Sequence, residues 1–539
     1  AGARDVARGV HRRRAAVKRA RLAAAAPAAL VVALVGAGVA VPGAALAVRA
    51  ATAESWPRVL GDADTWRLVG VTAALALAST ALALALGLPI AALLAHRRFP
   101  GARALRAAVT LPFVLPTVVV GAAFAGLAPA SWRATWTIVV AAHAWYNAGL
   151  VARIVAARWE SIHPWVDDAA RTLGAGPAAR AATISAPLLR PAIASAAAIT
   201  SVLCFASYGV VRVLGGPALA TLETEVAFRA FALGDVAGAI VIAALQLAIL
   251  GAVVAAVLPR LARGRARAAR VAPSRLTVSR ARRARSAGER VTVALGAAAA
   301  TALVAVPLAA LVTSSVRVGG TASLAGWRAL GTVDVRGAVA VSVRNAALAA
   351  ALATAAGLAA ASAGARARHP WLDAVASLPA LVSAVTIGLG LAVASSWLPE
   401  AARGAWWLVP LAHATVALPL AVRVLAPAVR GLPSDVRDAA RTLGATGARL
   451  WWTIDRPLLA RATVAAGALA ACTSLGEFGA SSLLARRGAE TLPVLVERLL
   501  GRAGDVLRAQ GFALALVLAA ACLVAVAVID AADARGWRP

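Results

Sequence analysis

Apolar residues in this chain come in long, nearly unbroken blocks, and the charged residues between them are mostly arginine. The blocks show neither the 3.6-residue stripe of a surface helix nor the two-residue alternation of a barrel strand. A hydrocarbon layer about 30 Å thick takes about 20 apolar residues in a helix. By that measure the 539 residues hold twelve candidate spans, near 23–48, 67–95, 106–128, 134–157, 183–211, 236–258, 291–316, 338–363, 374–398, 405–427, 462–485 and 511–530. Backbone amides in lipid have to be satisfied within their own segment, which at this length means helices. The expected fold is an all-α integral membrane protein of about 12 transmembrane helices.

Composition excludes a soluble protein, because 61% of the residues are hydrophobic and 14% charged, where a soluble domain has about 45–50% and about 25%. A net charge of +32 raises nucleic acid as a partner, and its placement removes that reading. Eight basic residues lie between Arg4 and Arg21, and eleven arginines between 260 and 290 face one acid, Glu289. Cationic clusters flanking spans keep loops on the cytoplasmic side. The expected order is a basic cytoplasmic N-terminus (1–22), a first half (23–258, core about 67–258), an Arg-rich cytoplasmic linker (259–290), a second half (291–530, core about 338–530) and a cytoplasmic tail (531–539). Both termini then face the cytoplasm. The loops bearing Glu54, Asp62 and Asp64, and Glu223, Glu225 and Asp235, fall outside. The loop 486–510 fits this pattern least, with five arginines outside against Glu490, Glu497 and Asp505. The apolar run Leu22–Val48 is about twice the length of a leader's apolar region and reads as a retained span. Cys204, Cys472 and Cys522 are too far apart to imply a disulfide framework, and no His/Glu cluster has metal-ligand spacing.

The chain repeats itself. A shift of 270 residues sets Asp168 on Asp438, Gly174 on Gly444, Ile184 on Ile454, Pro187 on Pro457, Gly209 on Gly479 and His143 on His413. Six spans per half leave both copies in the same orientation, as two tandem six-helix halves about a pseudo-twofold along the membrane normal.

The most polar part of the repeat is DDAARTLGAGPAARAATISAPLLRP at 167–191 and RDAARTLGATGARLWWTIDRPLLAR at 437–461. Asp168-Ala169-Ala170 and Asp438-Ala439-Ala440 begin a helix that Gly174 or Gly444 stops, and a second short helix is expected up to Pro187 or Pro457. One such unit per half suggests two copies of one docking partner. The acid-Ala-Ala, Leu-Gly and Ile-x-x-Pro elements, with ten residues from glycine to isoleucine and thirteen to proline in both copies, resemble the EAA loop of type I binding-protein-dependent ABC importer permeases. Aspartate stands where that loop usually has glutamate, and Ala186 or Arg456 where leucine is common.

The resemblance implies that Asp168, Ala169, Ala170, Gly174 and Pro187, with Asp438, Ala439, Ala440, Gly444 and Pro457, couple the chain to two ABC ATPase subunits. It also implies an extracytoplasmic solute-binding protein, a small-molecule substrate, and a place in the bacterial inner membrane. The chain's single lysine, Lys18, follows no glycine-rich loop, so a Walker A site is missing. ATP and Mg are then used by the partner subunits, and this chain binds no cofactor and is not an enzyme. ATP-driven movement of the coupling segments is expected to rock the halves and alternate access to a central pathway.

Within that family the fused six-plus-six form resembles the iron(III)/thiamine branch. Cys204-Phe205-Ala206-Ser207, Gly215-Gly216-Pro217 and Thr221 to Glu223 are similar to thiamine permeases, and LPFVLPT at 111–117 and LGEFGASSLLARRGAETLPV at 475–494 resemble the wider branch. Thiamine or its phosphates is the expected substrate, iron(III) the alternative. Glu477 is the one acid well inside a predicted span, a functional candidate that would suit a cationic thiazolium. Its repeat mate is Ser207; His143 and His413, with Asn147 one turn from His143, complete the pathway candidates. A packing role is the competing reading for each. An ion-coupled secondary transporter would want several charges within spans and leaves the paired loops unexplained. An intramembrane enzyme would want HExxH, GxSxG or paired aspartates, which the sequence lacks.

Overall fold

A computed structural model of the chain describes residues 27–51, 54–132, 134–216, 219–271, 282–284, 286–365, 371–486 and 488–534. The N-terminal segment 1–22, Pro217, most of the central linker and the last five residues lie outside them. Among the described residues the structure is helical apart from one two-stranded turn, Arg317–Val318 against Thr321–Ala322.

Among the described residues ten helices are long and apolar enough to cross a membrane, and two further segments are helix pairs bent at a break. The straight span expected near 106–128 is one of these: Ala102–Val114 and Thr117–Leu127 meet at 102°. Pro116 forces Leu115 into extended backbone (ψ 145°) and offers no N–H to continue the ladder. The span expected near 374–398 is the other, bent by 95° between Leu381 and Ala384. There Ser383 restarts the helix by accepting the Thr386 N–H at 3.1 Å. The spans expected at 183–211 and 462–485 are displaced toward the N-terminus, running Pro177–Phe205 and Gly447–Leu475, with short helices resuming at Gly209 and Gly479. Around the linker, one helix runs from Val236 to Val271 and the next begins at Ala287.

The chain folds as two compact units. One comprises Ala1–Ala51, Arg336–Thr491 and Ala521–Pro539; the other comprises Thr52–Val335 and Leu492–Ala520. The units therefore do not follow the consecutive repeat halves, because Pro27–Ala51 belongs with 336–491 and Ala287–Ser315 with 52–335.

In the first unit, Ala349, Ala353, Ala356 and Ala360 form a fully buried seam on one face of helix Val335–Ala365. They join one core with Ala414, Ala417, Leu418 and Ala421 of helix Leu408–Arg430 and Val31, Leu34 and Val35 of the N-terminal helix. Lipid tails are as apolar as these side chains, so association there rests on close packing, which small residues permit. In the second unit, a Cβ on Gly149 of helix Trp136–Glu160 would come within 1.9 Å of the Val109 carbonyl oxygen, so glycine is required at that crossing. Trp145 of the same helix donates its indole N–H to the Leu303 carbonyl at 2.6 Å, tying in helix Ala287–Ser315.

Candidate functional site

Helices Pro164–Thr172 and Ser434–Thr442 carry the repeated polar motif. Each stops in the same way. Gly174 (φ +79°) donates to the Arg171 carbonyl and Ala175 to that of Ala170; Gly444 (φ +83°) donates to Arg441 and Ala445 to Ala440. That pattern is a Schellman stop, whose left-handed position glycine takes without a side-chain clash. Ala170 is buried and Ala440 half-buried against the protein, while Asp168, Ala169, Asp438 and Ala439 face out.

At the tip of each stop stands the leucine of the Leu-Gly element, which is not among the coupling candidates drawn from the motif. Leu173 is 87% exposed and Leu443 85%, the two most exposed of the large exposed apolar side chains among the described residues. Their signal in the sequence was a lone apolar residue directly before the stopping glycine of a polar helix. Charge neighbours differ between the copies: Asp168 meets Arg171 at 3.9 Å and Arg282 at 3.4 Å, whereas Asp438 meets Arg441 at 2.7 Å.

The short second helix expected up to Pro187 and Pro457 does not form as a separate element. Pro177–Arg180 passes through a wide π-turn, Ala181–Ser185, directly into Ala186–Phe205. Gly447–Leu450 does the same through Trp451–Asp455 into Arg456–Leu475. The widened turn takes up the hydrogen bond that each proline cannot make, so the helix continues past it. Each span thus extends as unbroken helix into the polar loop, as far as Pro177 or Gly447. One ion pair fastens each loop helix to that continuous helix, with the charges reversed: Asp167 to Arg180 at 3.2 Å in the first copy, Arg437 to Asp455 at 3.0 Å in the second.

The pathway candidates occupy hydrogen-bonded positions. His143 is buried with Nδ1 3.3 Å from Ser79 and Nε2 2.8 Å from Ser207. Buried His413 lies 2.7 Å from Ser474 through Nδ1 and 2.9 Å from Ser481 through Nε2. Asn147 donates to the His143 carbonyl at 2.8 Å and to Cys204 Sγ at 3.6 Å. Glu477 lies in the gap between Arg456–Leu475 and Gly479–Leu484, outside either helix, and accepts the Ala480 N–H at 3.0 Å.

Glu223, in a loop expected on the outer side, sits on the short helix Leu222–Phe231, fully buried, where Gln246 donates to its carboxylate and the neighbouring Leu222 N–H bonds Thr72 at 3.1 Å. Helix Val236–Val271 packs over this helix and covers the carboxylate.

With the two loop helices in place, comparison with known families becomes decisive. The family of binding-protein-dependent transport system inner membrane components matches residues 87–267 and again 347–537. The chain belongs to that family. Each match contains one complete loop helix with its glycine stop. As a permease of this family the chain is the membrane-embedded transport subunit of an ABC importer. Among curated relatives, the thiamine transport system permease protein of Brucella abortus is 28% identical over 498 residues, covering 88% of this chain and 89% of the relative. The Brucella melitensis counterpart matches to the same extent. A putative 2-aminoethylphosphonate transport system permease protein from Salmonella paratyphi A is 33% identical over 154 residues, 29% of this chain and 57% of the relative.

Proposed function

We propose that each loop helix docks one ABC ATPase subunit, with Leu173 and Leu443 as the side chains that enter the partner's groove. The observation that carries this is the paired geometry: the same helix, the same glycine stop and a solvent-exposed leucine at the tip in both copies. An apolar side chain held out in water on an ordered turn is suited to an apolar socket on a partner. Continuous helix from each loop into a span supplies a stiff route for force to enter the membrane part. In this reading ATP and Mg act in the partner subunits, and the loops and both termini lie in the cytoplasm of a bacterial cell, a side supported by the arginines that flank the spans.

The proposed substrate is thiamine or its phosphates, delivered by an extracytoplasmic binding protein. Support comes from the relatives that match nearly end to end and carry a thiamine name, and from the similar stretch Cys204 to Glu223. The test is uptake of labelled thiamine in a bacterium lacking its own importer and supplied with this chain, its ATPase and its binding protein. ATP-dependent thiamine uptake that Leu173→Ala with Leu443→Ala abolishes is expected. Uptake of ferric iron in place of thiamine would overturn the substrate, and labelling of cysteines placed at 173 or 443 by an impermeant reagent from outside would overturn the docking role.

A further inference from the structure

Beside the first loop helix opens a cavity of about 700 Å³. Its rim carries five guanidiniums, those of Arg97, Arg171, Arg180, Arg282 and Arg283. Acids answer only part of that charge. Arg180 meets Asp167 and Arg97 meets Glu289, each at 3.2 Å, and Asp168 serves both Arg171 and Arg282. Arg283 is exposed and pairs with no acid among the described residues. The rim is held in place by backbone: Arg282 donates to the His96 carbonyl at 2.9 Å and accepts from the Arg98 N–H at 3.0 Å.

The depth of the cavity has a different character. Leu88, Leu189 and Ile193 line it, all on membrane-spanning helices. Leu88 lies eight residues before His96 on the same helix, which at the helical rise is about 12 Å along the axis. A cationic rim at the basic end of the spans thus leads to an apolar wall at membrane depth. Guanidinium groups bind phosphate oxygens in bidentate fashion. A free phosphate would use the rim and leave the apolar wall idle; a phospholipid uses both. Among the described residues, the cavity beside the second loop helix is smaller, about 180 Å³, and its arginines Arg430 and Arg437 pair with Asp373 and Asp455.

We propose that this cavity binds an anionic phospholipid, with the phosphodiester on the rim arginines and an acyl chain along Leu88, Leu189 and Ile193. The lipid then sits against the loop helix that the cavity shares through Asp167 and Arg171. The assay is titration of the full-length chain, delipidated in detergent, with fluorescent phosphatidylglycerol or phosphatidylcholine, and separately with inorganic phosphate. Saturable binding of phosphatidylglycerol in preference to phosphatidylcholine is expected. Each rim arginine near an anionic lipid contributes roughly a fivefold factor. Arg283→Gln, a substitution at an exposed residue, should weaken binding about fivefold, and Arg97→Gln with Arg283→Gln roughly 30-fold. Arg190→Gln, which removes an exposed arginine outside the cavity wall, should leave binding unchanged. Equal binding of the two lipids, or equal loss with Arg190→Gln, overturns the site. Inorganic phosphate binding that the rim variants weaken while phosphatidylglycerol shows none overturns the lipid assignment in favour of a free anion.

Discussion

Truncating the exposed leucines separates docking from folding. Leu173 and Leu443 are 87% and 85% exposed, so Leu→Ala removes almost no buried surface from the isolated chain and should leave its thermal stability within about 0.5 kcal/mol. In a socket the balance differs. Each substitution deletes about three carbon groups at about 0.8 kcal/mol each, about 2.4 kcal/mol, or roughly 60-fold in affinity for the ATPase subunit at that site. If the two sites act independently, the double substitution costs about 5 kcal/mol. The assay is titration of the ATPase subunit onto the purified chain in nanodiscs, with the melting temperature of the uncomplexed chain as the folding control. Unchanged affinity in the double variant would refute the reasoning, since it would mean that two ordered apolar tips meet no partner. A lowered melting temperature with unchanged affinity would refute it differently, by showing that the tips serve the fold.

Four other outcomes follow from the same geometry. Gly174→Val with Gly444→Val should weaken ATPase binding while membrane insertion stays normal, because nothing lies within 4 Å of either new Cβ and the left-handed backbone alone costs about 1–2 kcal/mol per site; quantitative binding to the ATPase checks this. Arg437→Gln and Asp455→Asn should each lower the melting temperature, and a double-mutant cycle should give a coupling of about 1–3 kcal/mol, since the carboxylate is almost wholly buried. His413→Leu leaves the hydroxyls of Ser474 and Ser481 without their ring partner, so thermal stability should fall by about 1–3 kcal/mol; a raised KM for uptake at unchanged stability would point to substrate contact instead. Glu477→Gln keeps an oxygen for the Ala480 N–H and should keep the fold, whereas Glu477→Ala loses the cap, about 1 kcal/mol; uptake abolished by Gln in a normally folded chain would show that the charge itself acts on substrate.

The membrane class and the two loop helices were legible because their signals are local. Length and apolarity mark a span, and a helix former ahead of Leu-Gly marks a stop that the structure realises at Gly174 and Gly444. The bend at Leu115–Pro116 was not legible, because the run stays apolar through it and hydropathy measures solvent preference rather than direction. Proline misled in the opposite sense at 187 and 457, where a π-turn absorbs it and the helix runs on. The burial of Glu223 and the exposure of the two leucine tips share one reason for not being legible: burial is settled by which helix lies across a residue and not by residue type.

What the duplication has kept is also informative. The loop-to-span ion pair persists with acid and base exchanged, Asp167 with Arg180 against Arg437 with Asp455. Each histidine sits between two hydroxyls, yet those of His413 come from Ser474 and Ser481, where Cys204 and Val211 stand in the first copy. His143 uses Ser79 and Ser207. A residue whose chemistry mattered to a transported molecule would constrain its neighbours by identity. Here the partners change and the tie remains, as a role in holding helices together requires, and the His413→Leu measurement separates that role from substrate contact. By the same argument the Leu-Gly stop, alike in residue and backbone angle in both copies and exposed in each, is the part of the repeat that the proposed docking would hold constant.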